Sequence, residues 1–327
     1  MKKFNGHFIK RVSNDTEKQP RNTYHYTSPD AFLSIIKNEC IRFSDIRYMN
    51  DKSETVYAVK LLLDFLQENR GKYLFVEDVL DKLIGKQFYS DIQELRTTNV
   101  SFNQIPGFDC LTNRSFLFCL STKKDALNMW NYYVKNGHYE GYNIGFDLYE
   151  LLKTFDVPQA NTSDAFLIYH GKVVYKKELQ YRVIEKIVDE VEKISENSQI
   201  DMKLPYAAVT LRNKLESEGL FIKHPEFSSE QEYRIVLHIA EKRIPHNEEE
   251  GANFFGTNNK SIIEDFCIKN GLVVPFLKVK LPSLSISKVT VSPITEFDLV
   301  SKGISELLEV HNFKNVEIQQ SKIPIRF

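Results

Sequence analysis

Four groups of residues in this chain have types and spacings that chemistry can use. The first is Tyr24-His25-Tyr26-Thr27. On a strand, His25 and Thr27 share one face while Tyr24 and Tyr26 share the other. An imidazole and a hydroxyl two positions apart suit hydrogen bonding to a ribose or a similar polyol. The second is FSSEQEYRIVL, residues 227–237. Here Glu230 and Glu232 stand two apart at the mouth of a strand, and point the same way if Glu230 is already extended. One carboxylate of such a pair can hold a sugar hydroxyl and stabilise positive charge on an anomeric carbon, while the other handles an incoming nucleophile. The third is FCLSTKKDALNMWNYYVKNG, residues 118–137, where a buried strand ends in Ser121-Thr122 and a helix opens at Asp125. A helix start binds anions through its free N–H groups, and Trp130, Tyr132 and Tyr133 offer rings for stacking. The fourth is the loop SDIRYMND, which gathers Ser44, Asp45, Arg47, Tyr48 and Asn50.

Each group also has an ordinary structural reading. His25 can be a core histidine satisfied by backbone between packed tyrosines. Glu230 and Glu232 can be solvated acids loosely paired to Arg234. Asp125 can cap its helix while Trp130 fills the core, and the loop's Asp and Asn can bond their own backbone. His170 and His224 stand alone, without the spacing that a metal site needs, so no metal is expected.

The elements that must position these residues follow from periodicity. Residues 1–20 are polar and of mixed charge, which predicts a loose lead-in before a single domain over 21–327. TYHYT (23–27) predicts a strand, and Ser28-Pro29-Asp30 a helix start. The helix that follows carries Phe32, Leu33, Ile35 and Ile36 on one face. CIRFS (40–44), RSFLFCLST (114–122), GYNIGFD (141–147), AFLIYHGKVVY (165–175), EYRIVLHIA (232–240), LVVPFLKVKLP and ISKVTVSP read as strands. RSFLFCLST has the continuous apolar character of a central, doubly covered strand. Helical patterns fill two insertions, about 52–97 and 177–220, and TEFDLVSKGISELLEVHNF closes the chain as a helix. The class is therefore α+β, one domain with helical insertions.

Bulk properties narrow the possibilities further. The 327 residues suffice for a large core, and 42% apolar with 27% charged is ordinary for a globular protein. Lys plus Arg total 43 against 44 Asp plus Glu, so no net field draws in nucleic acid or an anionic membrane. The N-terminus lacks the apolar segment of a secretory signal, and no stretch has the length of a membrane span. The cysteines, Cys40, Cys110, Cys119 and Cys267, form no CxxC pair, which predicts reduced thiols in a cytoplasmic protein. There is no Walker loop and no GxGxxG, so a standard phosphate cradle is absent.

Several of these stretches together resemble one prokaryotic family. YHYTSPDAFLSIIKNECIRFSDIRYMND, FLFCLSTKKDALNMWNYY…GYNIGFD, KHPEFSSEQEYRIVL and ISKVTVSP look like DUF2971, catalogued only as a domain of unknown function, in order over roughly residues 23–293. The opening pattern is also similar to NAD-using ADP-ribosyltransferases: His25, a hydroxyl residue, a helix with Ile35-Ile36, then a turn into a strand. That second resemblance implies a split antiparallel sheet. It implies that His25, with Tyr26 and Thr27, holds the ribose beside nicotinamide. Ser121 would add to the NAD-binding side, and Tyr48, Trp130 or Tyr133 would stack on the nicotinamide ring. Glu232 would hold the ribose 2′-hydroxyl, with Glu230 completing the Glu-x-Glu pair.

The expectation is an enzyme that consumes NAD as substrate and transfers ADP-ribose to a nucleic-acid or protein acceptor, with a toxin or phage-defence role as a setting. Glu232→Ala is then expected to abolish turnover with little change in melting temperature. Two rivals remain open. One is a nucleotide-sensing module without catalysis. The other is an RNA-directed nuclease or phosphotransferase with His25 as general acid or base and Arg47 and Arg234 on phosphate.

Overall fold

The computed structural model describes residues 9–12, 18–49, 56–84, 113–134, 140–155, 166–197, 199, 202–241, 244–247, 249–250, 262–269 and 271–324. In chain order its strands are β1 (Ile9–Arg11), β2 (Asn22–Thr27), β3 (Cys40–Asp45), β4 (Asn113–Ser121), β5 (Tyr142–Asp147) and β6 (Phe166–Lys172). They continue with β7 (Glu232–Ala240), β8 (Ile262–Lys269), β9 (Leu272–Lys280), β10 (Ile286–Val291) and β11 (Glu317–Gln320). All join one 11-stranded sheet, mostly antiparallel, with β1–β6 and β10–β11 as parallel pairs. The class is α+β. Strands β1, β8 and β11 are additional to those read from the sequence, and β1 turns part of the expected loose lead-in into an edge strand.

The apolar run of β4 is central, as its composition requires. Phe116, Phe118 and Leu120 enter the main core, while Leu117 packs on the opposite face with Phe221 and Val236. Along one edge β4 pairs with β7 over its whole length. The other edge is divided. Its C-terminal end meets β2 at a single pair, Tyr24↔Ser121, and its N-terminal half meets β3 at Ser44↔Leu117 and Asp45↔Phe116. Strands β2 and β3 then leave in different directions, β2 with β5 and β3 with β9. The sheet therefore forks beside Phe118, Cys119 and Leu120.

Helix α1 (Pro29–Asn38) connects the two arms of the fork. Ser28 caps it, its Oγ accepting from the Ala31 N–H at 3.3 Å, and Pro29 occupies the first turn. Phe32, Ile35 and Ile36 are buried; Leu33, expected on the same face, is 43% exposed, because it lies one residue off the i, i+3, i+4 stripe. Helix α2 (Tyr57–Glu68) and helix α3 (Leu74–Ile84) come from the first expected insertion. Its remaining part, including SDIQELR and Cys110 beyond it, falls outside the described residues. Helix α4 (Leu127–Tyr133) follows β4, and α5 (Leu148–Leu152) follows β5. The second insertion gives α6 (Lys177–Glu192) and α7 (Lys203–Glu218), and α8 (Phe297–Val310) closes the chain before β11. Helices α2, α3, α6 and α7 bury their apolar stripes on one another in a second core. The two insertions, far apart in sequence, are thus one helical layer. Among the described residues no helix is long and apolar enough to cross a membrane.

Candidate functional site

The fork leaves an open cavity of about 120 Å³, a cleft smaller than the roughly 300–1,000 Å³ usual for drug-sized ligands. Its walls come from five elements. Strand β2 supplies Tyr24, His25 and Tyr26, and β3 with the turn after it supplies Arg42, Ser44 and Met49. Strand β4 gives Leu117 through Ser121, α4 gives Met129 and Tyr133, and β7 gives Glu232.

His25 enters the cavity from the main-core side. The pair Tyr24↔Ser121 puts Tyr24, Ser121 and Glu232 on one face of the sheet, so alternation turns His25 to the other. There its ring lies 5.0 Å from the Phe118 ring, and its Nδ1 meets the Cys119 carbonyl at 3.2 Å. That carbonyl sits in the gap between β2 and β3. Because a carbonyl only accepts, Nδ1 carries the proton and Nε2 is the lone-pair acceptor. Burial holds the imidazole below the ordinary histidine range, with the Cys119 bond acting in the opposite sense. His25 is thus a neutral acceptor of a hydroxyl proton rather than an acid at neutral pH. Thr27, expected to work beside it, is buried opposite Tyr142 and does not line the cavity.

Tyr26 has a positioning task. Its hydroxyl donates to the Lys123 carbonyl at 3.0 Å and accepts from the Ala126 N–H at 3.1 Å. It thereby fastens the turn between β4 and α4 to β2. Burial pushes its hydroxyl well above the usual tyrosine range. Ser121 is fully buried; its Oγ donates to the Glu230 carbonyl at 2.7 Å and accepts from the Lys123 N–H at 3.0 Å. Ser121 therefore ties the end of β4 to the segment that carries the two glutamates.

Glu230 and Glu232 converge, but not by the route that strand alternation predicts. Glu230 ends a 3₁₀ helix (Pro225–Glu230), Gln231 takes a left-handed conformation at φ 47°, and β7 starts at Glu232. Both acids are buried rather than solvated. Lys223 Nζ lies 2.8 Å from Glu230 Oε2 and 3.1 Å from Glu232 Oε1. Arg234, wholly buried, grips Glu232 Oε2 through Nε at 2.7 Å and donates to the Leu220 carbonyl at 2.6 Å. The Tyr133 hydroxyl donates to Glu230 Oε1 at 3.1 Å, and the Glu232 N–H donates to the Tyr175 hydroxyl at 3.0 Å. Burial and the charge of Glu232 push the Glu230 carboxyl above the ordinary range. Burial alone would raise Glu232 as well, but Arg234 and Lys223 outweigh it and hold Glu232 below that range. The two carboxyls are therefore unequal: Glu232 is the persistent anion and Glu230 the stronger base.

The expected stacking rings resolve differently. Trp130 is fully buried, its Nε1 donating to Asp125 at 2.8 Å and its ring edge-on to Tyr26. It is core, and Tyr133, one turn further on α4, faces the cavity instead. Asp125 caps nothing: it accepts from Trp130, Ser321 and the Lys322 N–H, and α4 begins at Leu127 with no side-chain cap. A seven-residue helix so placed is no anion cradle. Tyr48 ends a short 3₁₀ turn, lies beneath the Arg47 guanidinium and is not in the cavity wall. Asn50 falls outside the described residues. Lys223 and Arg42 are functional candidates that pattern reading passed over. For Lys223 the available signal was a lysine placed directly after the apolar run Leu220-Phe221-Ile222, where a cation is costly unless paired.

Residues 129–235 match the family model described as protein of unknown function (DUF2971). The match covers about a third of the chain and contains Tyr133, Lys223, Glu230, Glu232 and Arg234, the whole carboxylate wall of the cavity. Strand β2 with His25, and Ser121 on β4, lie before it. No curated protein matches the chain, and no solved structure matches it.

Proposed function

We propose that this protein is an ADP-ribosyltransferase-like enzyme that binds NAD in the forked-sheet cavity and transfers ADP-ribose to a nucleic-acid or protein acceptor. The observation that carries the reading is the convergence of His25, Ser121 and Glu232, from three different strands, on one cavity at the fork. The forked antiparallel sheet is in keeping with the split sheet of that superfamily. In this reading His25 Nε2 accepts a hydroxyl of the ribose next to nicotinamide, and Tyr133 packs against the nicotinamide ring. Glu232 accepts the 2′-hydroxyl. The C1′–N bond breaks with its electron pair leaving on nicotinamide, and Glu232 stabilises the oxocarbenium character at C1′. The acceptor nucleophile then bonds to C1′, and its proton passes to Glu230.

One observation favours the rival of a nucleotide-binding module: both Glu232 oxygens already have cationic partners, Lys223 and Arg234. The phosphotransferase rival fares less well. Arg47 is bound by Asp45 and Arg234 by Glu232, and a histidine lowered by burial is a weak base. Nicotinamide release by purified protein, with RNA, DNA or cell protein added, tests the reading. Wild type is expected to release nicotinamide and Glu232→Gln to lose at least about a hundredfold in rate. NAD bound calorimetrically but never cleaved would establish the binding module. Neither binding nor release would overturn the proposal.

A further inference from the structure

The buried lysine between the two carboxylates belongs to no element of the reaction as drawn above. Lys223 is 6% exposed, and its Nζ touches both Glu230 and Glu232 and lies 4.6 Å from the centre of the Phe227 ring. Its backbone is fixed from the helical layer. Gln180 of α6, fully buried, donates its amide to the carbonyls of Lys223 at 2.7 Å and Val174 at 2.9 Å, while its Oε1 accepts from Tyr57 of α2 at 3.1 Å. The Lys223 N–H returns to the Val174 carbonyl. A long, costly cation is thus held from two helices at one point beneath the cavity wall.

We propose that Lys223 is a positioning residue, whose ammonium clamps Glu230 and Glu232 together and keeps Glu230 charged beside its anionic neighbour. The clamp is a statement about this chain's own acids; only its catalytic consequence rests on the NAD-cleaving reading. The groups facing the pair are Lys223 from the segment after α7, Arg234 from β7, Tyr133 from α4 and Tyr175 from the segment after β6. Of these, Lys223 is the one bonded to both acids. Arg234 bonds Glu232 and the Leu220 carbonyl, and Tyr133 bonds Glu230. Removing the lysine charge leaves Glu230 with a tyrosine hydroxyl and a neighbouring anion. The proton it shares with Glu232 is then held to higher pH.

The test is a carbon-13 carboxyl titration of glutamate-labelled protein without NAD, assigned with Glu230→Gln and Glu232→Gln. In wild type the two acids are expected to titrate apart, with Glu232 the more acidic. Lys223→Met is expected to move the Glu230 step up by about a pH unit or more, and Lys223→Arg to restore it. Should Lys223→Met not fold, Lys223→Gln keeps a donor without the charge. Wild-type carboxyls that titrate together, or a Glu230 step indifferent to the Lys223 charge in a folded variant, would overturn the proposal. If wild type cleaves NAD, the acidic limb of its rate profile, where Glu230 takes up its proton, follows the same shift in Lys223→Met and returns in Lys223→Arg. If it does not cleave NAD, the titration still decides the clamp, so the two ideas fail separately.

Discussion

At the scale of single residues, Glu232 is both the expected reactive group and a structural one. A solvated carboxylate could be deleted at little cost in stability, which is the basis of the sequence expectation that Glu232→Ala leaves the melting temperature nearly unchanged. The structure corrects that expectation. Glu232 neutralises wholly buried Arg234 and nearly buried Lys223, and its removal strands both cations. Breaking a buried pair from one side costs about 3–5 kcal/mol, so Glu232→Ala is expected to lose stability of that order in urea unfolding as well as activity. Loss of fold in that variant therefore does not argue against a catalytic role. The sign of the pH dependence follows. The folded value of Glu232 is lowered, so its contribution is present above the unfolded carboxylate value and is lost as pH falls through the folded one. Glu230, raised in the fold, contributes in the opposite sense: its stabilisation is present below the unfolded value and is lost as pH rises through its folded value.

At the scale of elements, the cavity depends on how closely β2 is drawn to β5 while it parts from β4. Gly141, at the entry to β5, sits at φ 157°, and a Cβ there would lie 2.5 Å from the Thr27 carbonyl oxygen and 2.7 Å from Val134. The Thr27 oxygen is backbone and cannot swing aside. Gly141→Ala is therefore expected to destabilise the protein by about 1–3 kcal/mol and to push β2 and α4 apart. Chemical denaturation measures the first effect. Loss of the Tyr26 hydroxyl contacts, read from the exchange of the Ala126 amide, measures the second. Gly145 serves the same arm of the fork, since the Tyr24 ring lies over it 3.3 Å from where a Cβ would be. The hydroxyl of Tyr26 and the amide of Asn143, which donates to the Lys124 carbonyl at 2.6 Å, then hold the turn that leads to Tyr133.

At the scale of the molecule, two cores must stay in register: the sheet and the helical layer built from both insertions. Their junction carries a second buried polar group. His238 of β7 meets Ser115 Oγ at 2.9 Å through Nδ1, and its Nε2 faces Glu216 of α7 at 3.7 Å. Burial, aided by nearby Arg212, lowers His238 to about 4. An ordinary histidine in the unfolded chain titrates near 6.5, so the unfolded state binds this proton first. The stability from His238 is complete above about pH 6.5 and is lost as pH falls toward 4, by up to about 3 kcal/mol. Thermal melts between pH 7 and 4 are expected to show that loss, and His238→Gln to flatten it.

Local pattern determined most of the strands and the Ser28 cap, because a period of two, a period of 3.6 and a Ser-Pro start are written in neighbouring residues. It placed β2, β4 and β7, α1 with its Ser28 cap, and the particular residues His25, Ser121, Glu230 and Glu232 on the segments where they are found. It could not reveal the fork, which arises because β4 shares one edge between two strands separated in sequence by α1. It favoured Trp130 over Tyr133 as a stacking ring, since both are aromatic on one short helix, and only packing against Tyr26 showed that Trp130 is core and Tyr133 faces the cavity. It read Glu230 and Glu232 as exposed or aligned by alternation. Their burial and their convergence come instead from the left-handed turn at Gln231 and from Lys223, on the segment that follows the second insertion. The residue types available to the site were legible in one dimension. Which of them meet was decided by strand partners, and a strand's partner is chosen by long-range burial that no local period records.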